Sequence, residues 1–162
     1  MMANETVPVE MPFGNAFDLL EKVGDIDFET IFVTAYNHYA IETGKLAPQG
    51  WRIPTQQDFI ELINYVASQG HSGNEATVLK STEGWSSSIG NGTNLFGFNV
   101  KPAGTTIIGG TPDFESAIAQ FATSNVNLTD NTRKIATFFE NGEVQINDLD
   151  TRFGLSIRLI KE

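Results

Sequence analysis

The sequence predicts a single domain of the α+β class. Three observations support this prediction: helical periodicity in the first half of the chain, alternation and frequent turn signals after Trp85, and a length of 162 residues. A chain of this length buries about two-thirds of its unfolded surface in one core. Helices and strands that occupy separate parts of the sequence are typical of α+β domains.

Residues 1–30 are predicted to form an N-terminal arm followed by a short helix. Asn15 is a suitable N-cap and Gly24 is a stop signal. Between them lie apolar residues at helical spacing, namely Ala16, Leu19, Leu20 and Val23. The segment carries seven carboxylates and one lysine beside its apolar side chains. We therefore expect it to dock, either on a protein partner or second subunit, which we favour, or on its own domain.

The elements of the first half are predicted from composition and capping. Residues 30–34 are apolar and β-branched, which indicates a buried strand. The main helix is predicted over residues 56–68, where Thr55 can act as N-cap and Asp58 complements the helix dipole. Its apolar stripe, formed by Phe59, Ile63 and Val66, should pack on a sheet. A second short helix is predicted over residues 75–80, with Asn74 as its cap.

The second half is predicted to contain strands and long polar loops. Phe96, Phe98 and Val100 alternate with polar residues and glycine, which indicates a half-buried strand. Asn141-Gly142 is the strongest hairpin signal and should join residues 135–139 to residues 144–146. The last strand is predicted over residues 155–160, where apolar residues alternate with Ser156 and Arg158. We expect Arg158 to be a structural arginine that pairs with a carboxylate or with loop carbonyls.

Four ordered motifs resemble one protein family. They are YNHYAIETGKLAPQGWRIPT (residues 36–55), LKSTEGW (79–85), GTNLFGFNVKPAG (92–104) and GLSIRLIK (154–161). Over about residues 32–162 the chain resembles the Fibrobacter succinogenes major paralogous domain family. The resemblance implies a C-type-lectin-like domain over residues 31–162, with two main helices packed on a twisted antiparallel sheet. It also places residues 119–124 in a strand, although residues 114–121 have helical propensity and relatives usually carry an aromatic-tryptophan pair there.

Composition excludes several classes of function. The chain has 20 acidic and 10 basic residues and a net charge of −10, so clustered cations for nucleic acid are absent. With no cysteine, it has no disulfide, thiolate metal site or cysteine nucleophile. The family's fold includes formylglycine-generating oxidases, which rely on cysteines, and this branch is therefore excluded. No apolar run approaches ~18 residues, so we expect no membrane insertion, and we see no secretion signal.

Enzymatic and metal sites are not expected from the sequence. General acid–base catalysis needs a positioned base, and only His38 and His71 are available. His38 lies within a family motif and is predicted to pack, whereas His71 is predicted to be a solvated loop residue. The signatures of the sugar-binding, calcium-dependent lectin branch are absent. We therefore predict no metal and no cofactor, although the loops contain carboxylate and amide oxygens suited to Ca²⁺, including Asp150.

Ligand-binding residues are predicted in four polar loops, over residues 86–94, 105–114, 125–133 and 147–153. Side chains in such loops make adaptable hydrogen bonds. The candidates are Trp85, Asn91, Asn94, Asn127, Asp130, Asn131, Asn147 and Asp148. The two tryptophans, Trp51 and Trp85, can stack on a sugar, but both lie in family motifs and a scaffold role is favoured for each. The loops can also be plain solvent-facing connections.

The leading hypothesis is a non-enzymatic binding or display domain of a bacterial cell surface or a phage particle. It would present polar loops to a glycan or protein ligand and would be extracellular or exposed on a virion. The alternative is a structural virion component, such as a fibre, decoration or tail protein, with only protein–protein contacts, including contacts to copies of itself in a homo-oligomer. An intracellular enzyme is a more distant alternative.

Overall fold

The main element of the fold is a curled, seven-stranded sheet. The computed structural model of the chain describes residues 21–23, 26–108 and 111–162. The strands in chain order are β1 (Glu21–Val23), β2 (Ile26–Tyr36), β3 (Trp51–Arg52), β4 (Thr105–Thr106), β5 (Pro112–Asp113), β6 (Ala119–Asn127), β7 (Thr132–Phe138), β8 (Gln145–Asp150) and β9 (Leu155–Lys161). The sheet order is β1-β2-β9-β6-β7-β8, and β3 also pairs with β9. Strands β4 and β5 form a separate two-stranded sheet.

Neighbouring strands of the main sheet are antiparallel, except that β6 and β9 run parallel and pair at Phe121 and Ser156. The terminal strand β9 is central, with β2 on one side and β6 on the other. Accordingly Arg158 and Ile160 are buried as well as Leu155, Ile157 and Leu159. Side chains on both faces of β9 are therefore buried, because helices and loops cover each side of the sheet. The predicted alternation does not mark an exposed face.

The described part of the chain contains three short helices. They are α1 (His38–Glu42), α2 (Gln56–Val66) and α3 (Glu75–Leu79), and a π-helical turn, Ala67–His71, continues α2. The predicted helices at α2 and α3 are confirmed, but Asn74 makes no side-chain capping bond. Helix α1 was not predicted, although Asn37 caps it by accepting a hydrogen bond from the Ala40 N–H at 3.0 Å. Helix α2 has 11 residues, whereas α1 and α3 have five each. The described part therefore has one main helix, where two were expected.

The start of α2 forms the predicted capping arrangement. Thr55 Oγ1 accepts from the Asp58 N–H at 3.1 Å, and Asp58 Oδ2 accepts from the Thr55 N–H at 2.6 Å. Arg52 donates to both Asp58 oxygens, at 2.6 and 2.9 Å. Burial opposes ionisation of Asp58, but the hydrogen bonds from Arg52 and Thr55 prevail and lower the pKa of that carboxyl. This network fixes where the chain passes from β3 into the helix.

The two faces of the sheet bury separate apolar clusters. Helices α2 and α3 cover one cluster, whose large members are Phe59, Leu62, Leu79, Trp85, Phe98, Phe121 and Phe138. Helix α1 lies in the second cluster, which includes Tyr36, Ile41, Leu46, Ile135, Ile157 and Leu159. The predicted inward stripe of α2 is confirmed for Phe59 and Val66, whereas Ile63 is only partly buried.

Buried arginines occur in both clusters. Arg158 is 1% exposed and its guanidinium lies 3.8 Å from the centre of the Phe98 ring, and burial lowers its pKa. Arg133 is also 1% exposed and donates to Glu42 Oε1 at 2.6 Å, to His38 Nδ1 at 2.9 Å and to the Thr123 carbonyl. The Arg133 contacts join β7 to α1 over 91 residues of sequence.

Two predicted elements differ in the structure. The helix predicted near the N-terminus does not extend to Val23, because Glu21–Val23 is a strand paired with β2; residues 15–20 lie outside the described part. Residues 96–100 form no strand, because Gly97 and Asn99 have φ values of 73° and 55° that interrupt the pleat. Val100 makes only an isolated bridge with Lys80.

The hairpin formed by β7 and β8 is confirmed, but its connection is longer than predicted. The last paired residues are Thr137 and Gln145, so residues 138–144 form the connection. Strand β8 also continues to Asp150. The loop predicted over residues 147–153 is therefore wrong in its first half, where cross-strand pairing with β7 outweighs the turn propensity of Asn147 and Asp148.

Candidate functional site

A polar groove lies on the sheet beyond the first turn of α2. It has a volume of about 300 Å³ and is lined by Gln56, Asn125, Val126, Asn127, Asp130, Thr132, Lys134 and Asp148. We call it the β6–β8 groove. Three of its lining residues, Asn127, Asp130 and Asp148, were predicted as ligand-binding residues. Asn127 ends β6 and Asp130 lies in the turn that follows it, whereas Asp148 lies on β8.

Strand register explains why these side chains share one face. Lys134 pairs with Asp148 across β7 and β8, and Asn127 pairs with Thr132 across β6 and β7. Thr132, Lys134 and Ala136 point to the same face, because side chains alternate along a strand. Ala136 belongs to the cluster under α2. The groove is therefore the uncovered continuation of the face on which α2 packs.

The turn between β6 and β7 holds Asp130 in a fixed position. Asn127 Nδ2 donates to Asp130 Oδ2 at 3.1 Å, and Thr132 Oγ1 donates to Asp130 Oδ1 at 2.7 Å. Asn127 Oδ1 accepts from the Thr129 N–H at 3.0 Å, which closes the turn. These side chains are exposed or half-buried, so each keeps further hydrogen-bonding capacity toward a ligand.

The floor of the groove carries an ion pair. Lys134 Nζ lies 2.7 Å from Asp148 Oδ2, and the two side chains are 37% and 51% exposed. An exposed pair of this kind contributes at most about 1 kcal/mol to stability. The ion pair matters instead for ligand binding, because it places an ammonium donor beside a carboxylate acceptor in the groove.

The helix end of the groove is closed by Asn125. Its Oδ1 accepts a hydrogen bond from the Gln56 N–H at 2.6 Å, and its own N–H donates to Thr123 Oγ1 at 3.2 Å. The Ser124 N–H donates to the Pro54 carbonyl at 2.8 Å. The bulged end of β6 is thereby attached to the start of α2, which sets the width of the groove.

The other predicted binding residues do not reach this groove. Trp85 is only 6% exposed, and its indole N–H donates to Ser81 Oγ at 3.1 Å, which agrees with the scaffold role favoured for it rather than with a ligand contact. Asn91 Oδ1 accepts from the Trp85 N–H at 3.1 Å. Asn94 Oδ1 accepts from the Asn99 N–H at 2.7 Å. Both asparagines stabilise the loop around the tryptophan.

Asn131 and Asn147 also lie apart from the groove lining. Asn131 has a φ of 55°, which suits an asparagine at a turn, and its carbonyl accepts from the Thr151 N–H at 2.9 Å. Asn147 is exposed on β8 and pairs with Ile135, so its side chain points to the face opposite Asp148. A one-residue step along a strand thus separates a groove residue from one outside it.

Several groove residues were missed in the sequence. Gln56 was assigned only to the helix and Thr132 only to the loop over residues 125–133, and Lys134 fell between that loop and the strand predicted from residue 135. Their convergence depends on the register of β7 with β8 and on the bulge in β6, which lies between Ala122 and Val126. The one available signal for the register of β7 with β8 was the Asn141-Gly142 turn. The connection has seven residues, however, and the strands therefore pair in a different register from the one that a two-residue turn would give.

A second cavity, of about 420 Å³, lies beside β3. It is lined by Gly44, Leu46, Ala47, Trp51, Arg52, Ile53, Thr55 and Ser124. Trp51 is half-buried and packs against the second apolar cluster, which agrees with the predicted scaffold role. Arg52 is held by Asp58, and this hydrogen bond raises its pKa. The cavity is mainly apolar and offers few groups that could orient a polar ligand.

The two histidines lie in packed surroundings. His38 Nδ1 accepts a hydrogen bond from Arg133, since a guanidinium can only donate. The acceptor role places the His38 proton on Nε2 in its neutral form. His71 contrasts with the prediction of a solvated loop residue, because it is half-buried in the π-helical turn and its ring meets Phe96 edge-on at 5.6 Å.

Two kinds of site were also searched for among the described residues. No group of three or more His, Asp or Glu side chains there could hold a metal ion. In the same part of the chain, no helix has the length and apolar character needed to cross a membrane.

Comparison with known proteins gives one match. A family model described as the Fibrobacter succinogenes major domain matches residues 27–161. The match starts a few residues before the predicted start near residue 32, which agrees with the position of β2 in the sheet. No curated protein matches the chain, and no solved structure matches it.

Proposed function

Because the chain belongs to the Fibrobacter succinogenes major domain family, we propose that it is a non-enzymatic recognition module that binds a hydroxyl-rich ligand in the β6–β8 groove. A glycan is the leading example of such a ligand. The observation that carries the proposal is the convergence of Asn127, Asp130 and Asp148 with Lys134 in one open groove. The C-type-lectin-like fold remains part of the proposal, supported by family membership and by a curled sheet with long loops.

The chemistry of the groove suits a sugar. A hydroxyl group donates and accepts at the same time, and the groove offers carboxylates, amides, a threonine hydroxyl and an ammonium group within one cavity. The Asp130 hydrogen bonds to Asn127 and Thr132 hold these acceptors before a ligand arrives. Preorganisation of this kind lowers the entropic cost of binding. Leu128, 68% exposed in the same turn, can contact the apolar face of a sugar ring.

The setting that we propose is a bacterial cell surface or the exterior of a phage particle. Polar loops on a rigid sheet suit recognition at such a surface. The acidic composition opposes self-association in solution. Residues 1–30 were expected to dock, but residues 21–23 and 26–30 belong to strands β1 and β2 of the sheet, so docking on a protein partner is proposed for residues 1–20 alone. Deletion of residues 1–20 should abolish that attachment while the melting temperature of the domain is preserved, and unfolding of the shortened chain would contradict docking on a partner.

A glycan array tests the proposed function. The full chain should bind a limited set of glycans, and Asp130→Ala and Asp148→Ala should each weaken that binding at least tenfold, about 1.4 kcal/mol. The matched control is Asp113→Ala, because Asp113 is an exposed aspartate on β5 outside the groove. Equal loss in all three variants, or binding unchanged in both groove variants, would refute the groove as the site.

A structural role is the second candidate, and a different surface favours it. Ile108, between β4 and β5, and Phe114, directly after β5, are 47% and 53% exposed. Phe114 has a φ of 56°, which is strained for a bulky residue and typical of contact sites. If the chain is a virion component, Phe114→Ser should abolish assembly measured by light scattering, whereas Asp130→Ala should leave assembly intact. The opposite pattern would reject this candidate.

A further inference from the structure

Lys80 is a fully buried lysine whose ammonium nitrogen faces an amide side chain. The residue is 0% exposed and directly follows α3. Its Nζ lies 2.9 Å from the Phe139 carbonyl and 3.1 Å from Asn141 Oδ1. The nitrogen also lies 4.1 Å from the centre of the Trp85 ring. Buried lysines normally have a charged partner, yet none of the ion pairs between described residues includes Lys80.

Burial makes the ammonium group of Lys80 easier to deprotonate than that of an exposed lysine. Burial lowers its pKa to about 8, although the charge of Glu140 opposes this effect. A substantial fraction of the amine is therefore unprotonated in mildly alkaline solution. A neutral, desolvated lysine amine is a good nucleophile.

Asn141 is positioned beside this amine by one side-chain hydrogen bond, by the space that Gly90 leaves and by the anchoring of its neighbour Gly142. Its Nδ2 donates to the Asn91 carbonyl at 3.4 Å. A Cβ at Gly90 would lie 2.7 Å from that Nδ2, so glycine there leaves the amide its space. The next residue, Gly142, accepts a hydrogen bond from the Ala76 N–H at 2.6 Å. Two groups held in contact in this way react as if each were present at very high concentration.

We propose that Lys80 and Asn141 form an intramolecular isopeptide bond. The unprotonated Nζ of Lys80 attacks Cγ of Asn141, and a new Cγ–Nζ amide bond forms. The Cγ–Nδ2 bond breaks, and Nδ2 takes up the proton that Nζ loses and leaves as ammonia. No oxidant, metal or further reactant is needed.

The bond would tie the end of α3 to the β7–β8 connection. The two residues are 61 positions apart, so the cross-link closes a long loop of the chain. A covalent link across such a loop restricts the unfolded state, as a disulfide does. In a chain without cysteine, it would supply the covalent reinforcement that disulfides give many secreted domains.

One competing reaction loses the same ammonia. The main-chain nitrogen of Gly142 can attack Cγ of Asn141 and form a succinimide, which water later opens. The structure favours Lys80, because its nitrogen already contacts the carboxamide and because an amine is a stronger nucleophile than an amide nitrogen. The two products differ in whether they require Lys80.

Intact-protein mass spectrometry tests the proposal on the full chain, incubated above the Lys80 pKa of about 8. We expect a mass lower than the sequence mass by one ammonia, and a branched peptide that joins Lys80 to Asn141 after digestion. Lys80→Met and Asn141→Ala should both keep their full mass. Asn141 is exposed, so the second variant should fold even where the first does not.

Two results would overturn the proposal. The first is an unchanged mass in chains whose circular dichroism shows that they are folded. The second is a loss of ammonia that persists in Lys80→Met, or a product whose chain hydroxylamine cleaves after residue 141. Either result would assign the reaction to the main-chain nitrogen of Gly142.

Discussion

Removal of the Glu42 carboxylate should destabilise the domain, because the buried Arg133 guanidinium depends on it. Arg133 is 1% exposed, and its contact with Glu42 Oε1 is 2.6 Å long. Loss of one partner from a fully buried ion pair costs about 3–5 kcal/mol. Glu42 itself is 48% exposed, so water can replace part of the interaction. We therefore expect Glu42→Ala to lower the free energy of unfolding by about 1–2 kcal/mol.

A double-mutant cycle with Arg133→Met isolates this interaction. Urea unfolding of Glu42→Ala, Arg133→Met and the double variant gives three changes in the free energy of unfolding. The coupling energy between the two positions should be about 1 kcal/mol or more. Glu61→Ala is the control, since Glu61 is exposed on α2 and its loss should change stability by less than about 0.5 kcal/mol. A coupling energy within error of zero would refute the view that this pair attaches α1 to the sheet.

Four further substitutions test the packing, the helix cap and a tight turn. Trp85→Ala should cost about 3–5 kcal/mol in urea unfolding, whereas Trp51→Ala should cost less because that ring is half-buried; equal costs would contradict this assignment. Asp58→Asn should cost about 1–2 kcal/mol near neutral pH. The native pKa of Asp58 is below its ordinary value of 3.8, so this stabilisation is present above that value and is lost as the pH falls through the native pKa. Melting curves of the two proteins should therefore converge in acid, and a constant difference would argue against the charge. Gly104→Ala should destabilise by about 1–3 kcal/mol, because φ is 72° and the new Cβ would lie 2.5 Å from the Asp113 carbonyl oxygen; an unchanged melting temperature would refute that steric argument.

Local signals in the sequence predicted those elements that local chemistry determines. Thr55 and Asp58 sufficed to place the start of α2, because a capping box involves only neighbouring residues. The Asn141-Gly142 turn indicated the β7–β8 hairpin, but not the length of its connection or its register. The alternation at Phe96, Phe98 and Val100 was misleading, because loop residues can alternate in burial without a pleat once glycine and asparagine adopt positive φ.

The site depends on contacts that no local pattern contains. Asn127, Asp130 and Asp148 were predicted as binding residues because polar side chains in loops make adaptable hydrogen bonds, and the structure brings them together. Lys134 was missed because its position beside Asp148 follows from the register of two strands. Trp85 was both a ligand-binding candidate and a favoured scaffold residue, and the loop folds its ring into the core, where Ser81 accepts from the indole N–H, in agreement with the scaffold role.

The most direct test of the recognition proposal is an amide NMR titration of the folded chain with a glycan identified on the array. The account predicts chemical-shift changes that saturate and that cluster on residues 125–134, Gln56 and Asp148. The same titration of Asp130→Ala should show these changes only at much higher ligand concentration. Saturating changes centred elsewhere, for example on the cavity beside Trp51, would contradict the assignment of the β6–β8 groove as the binding site.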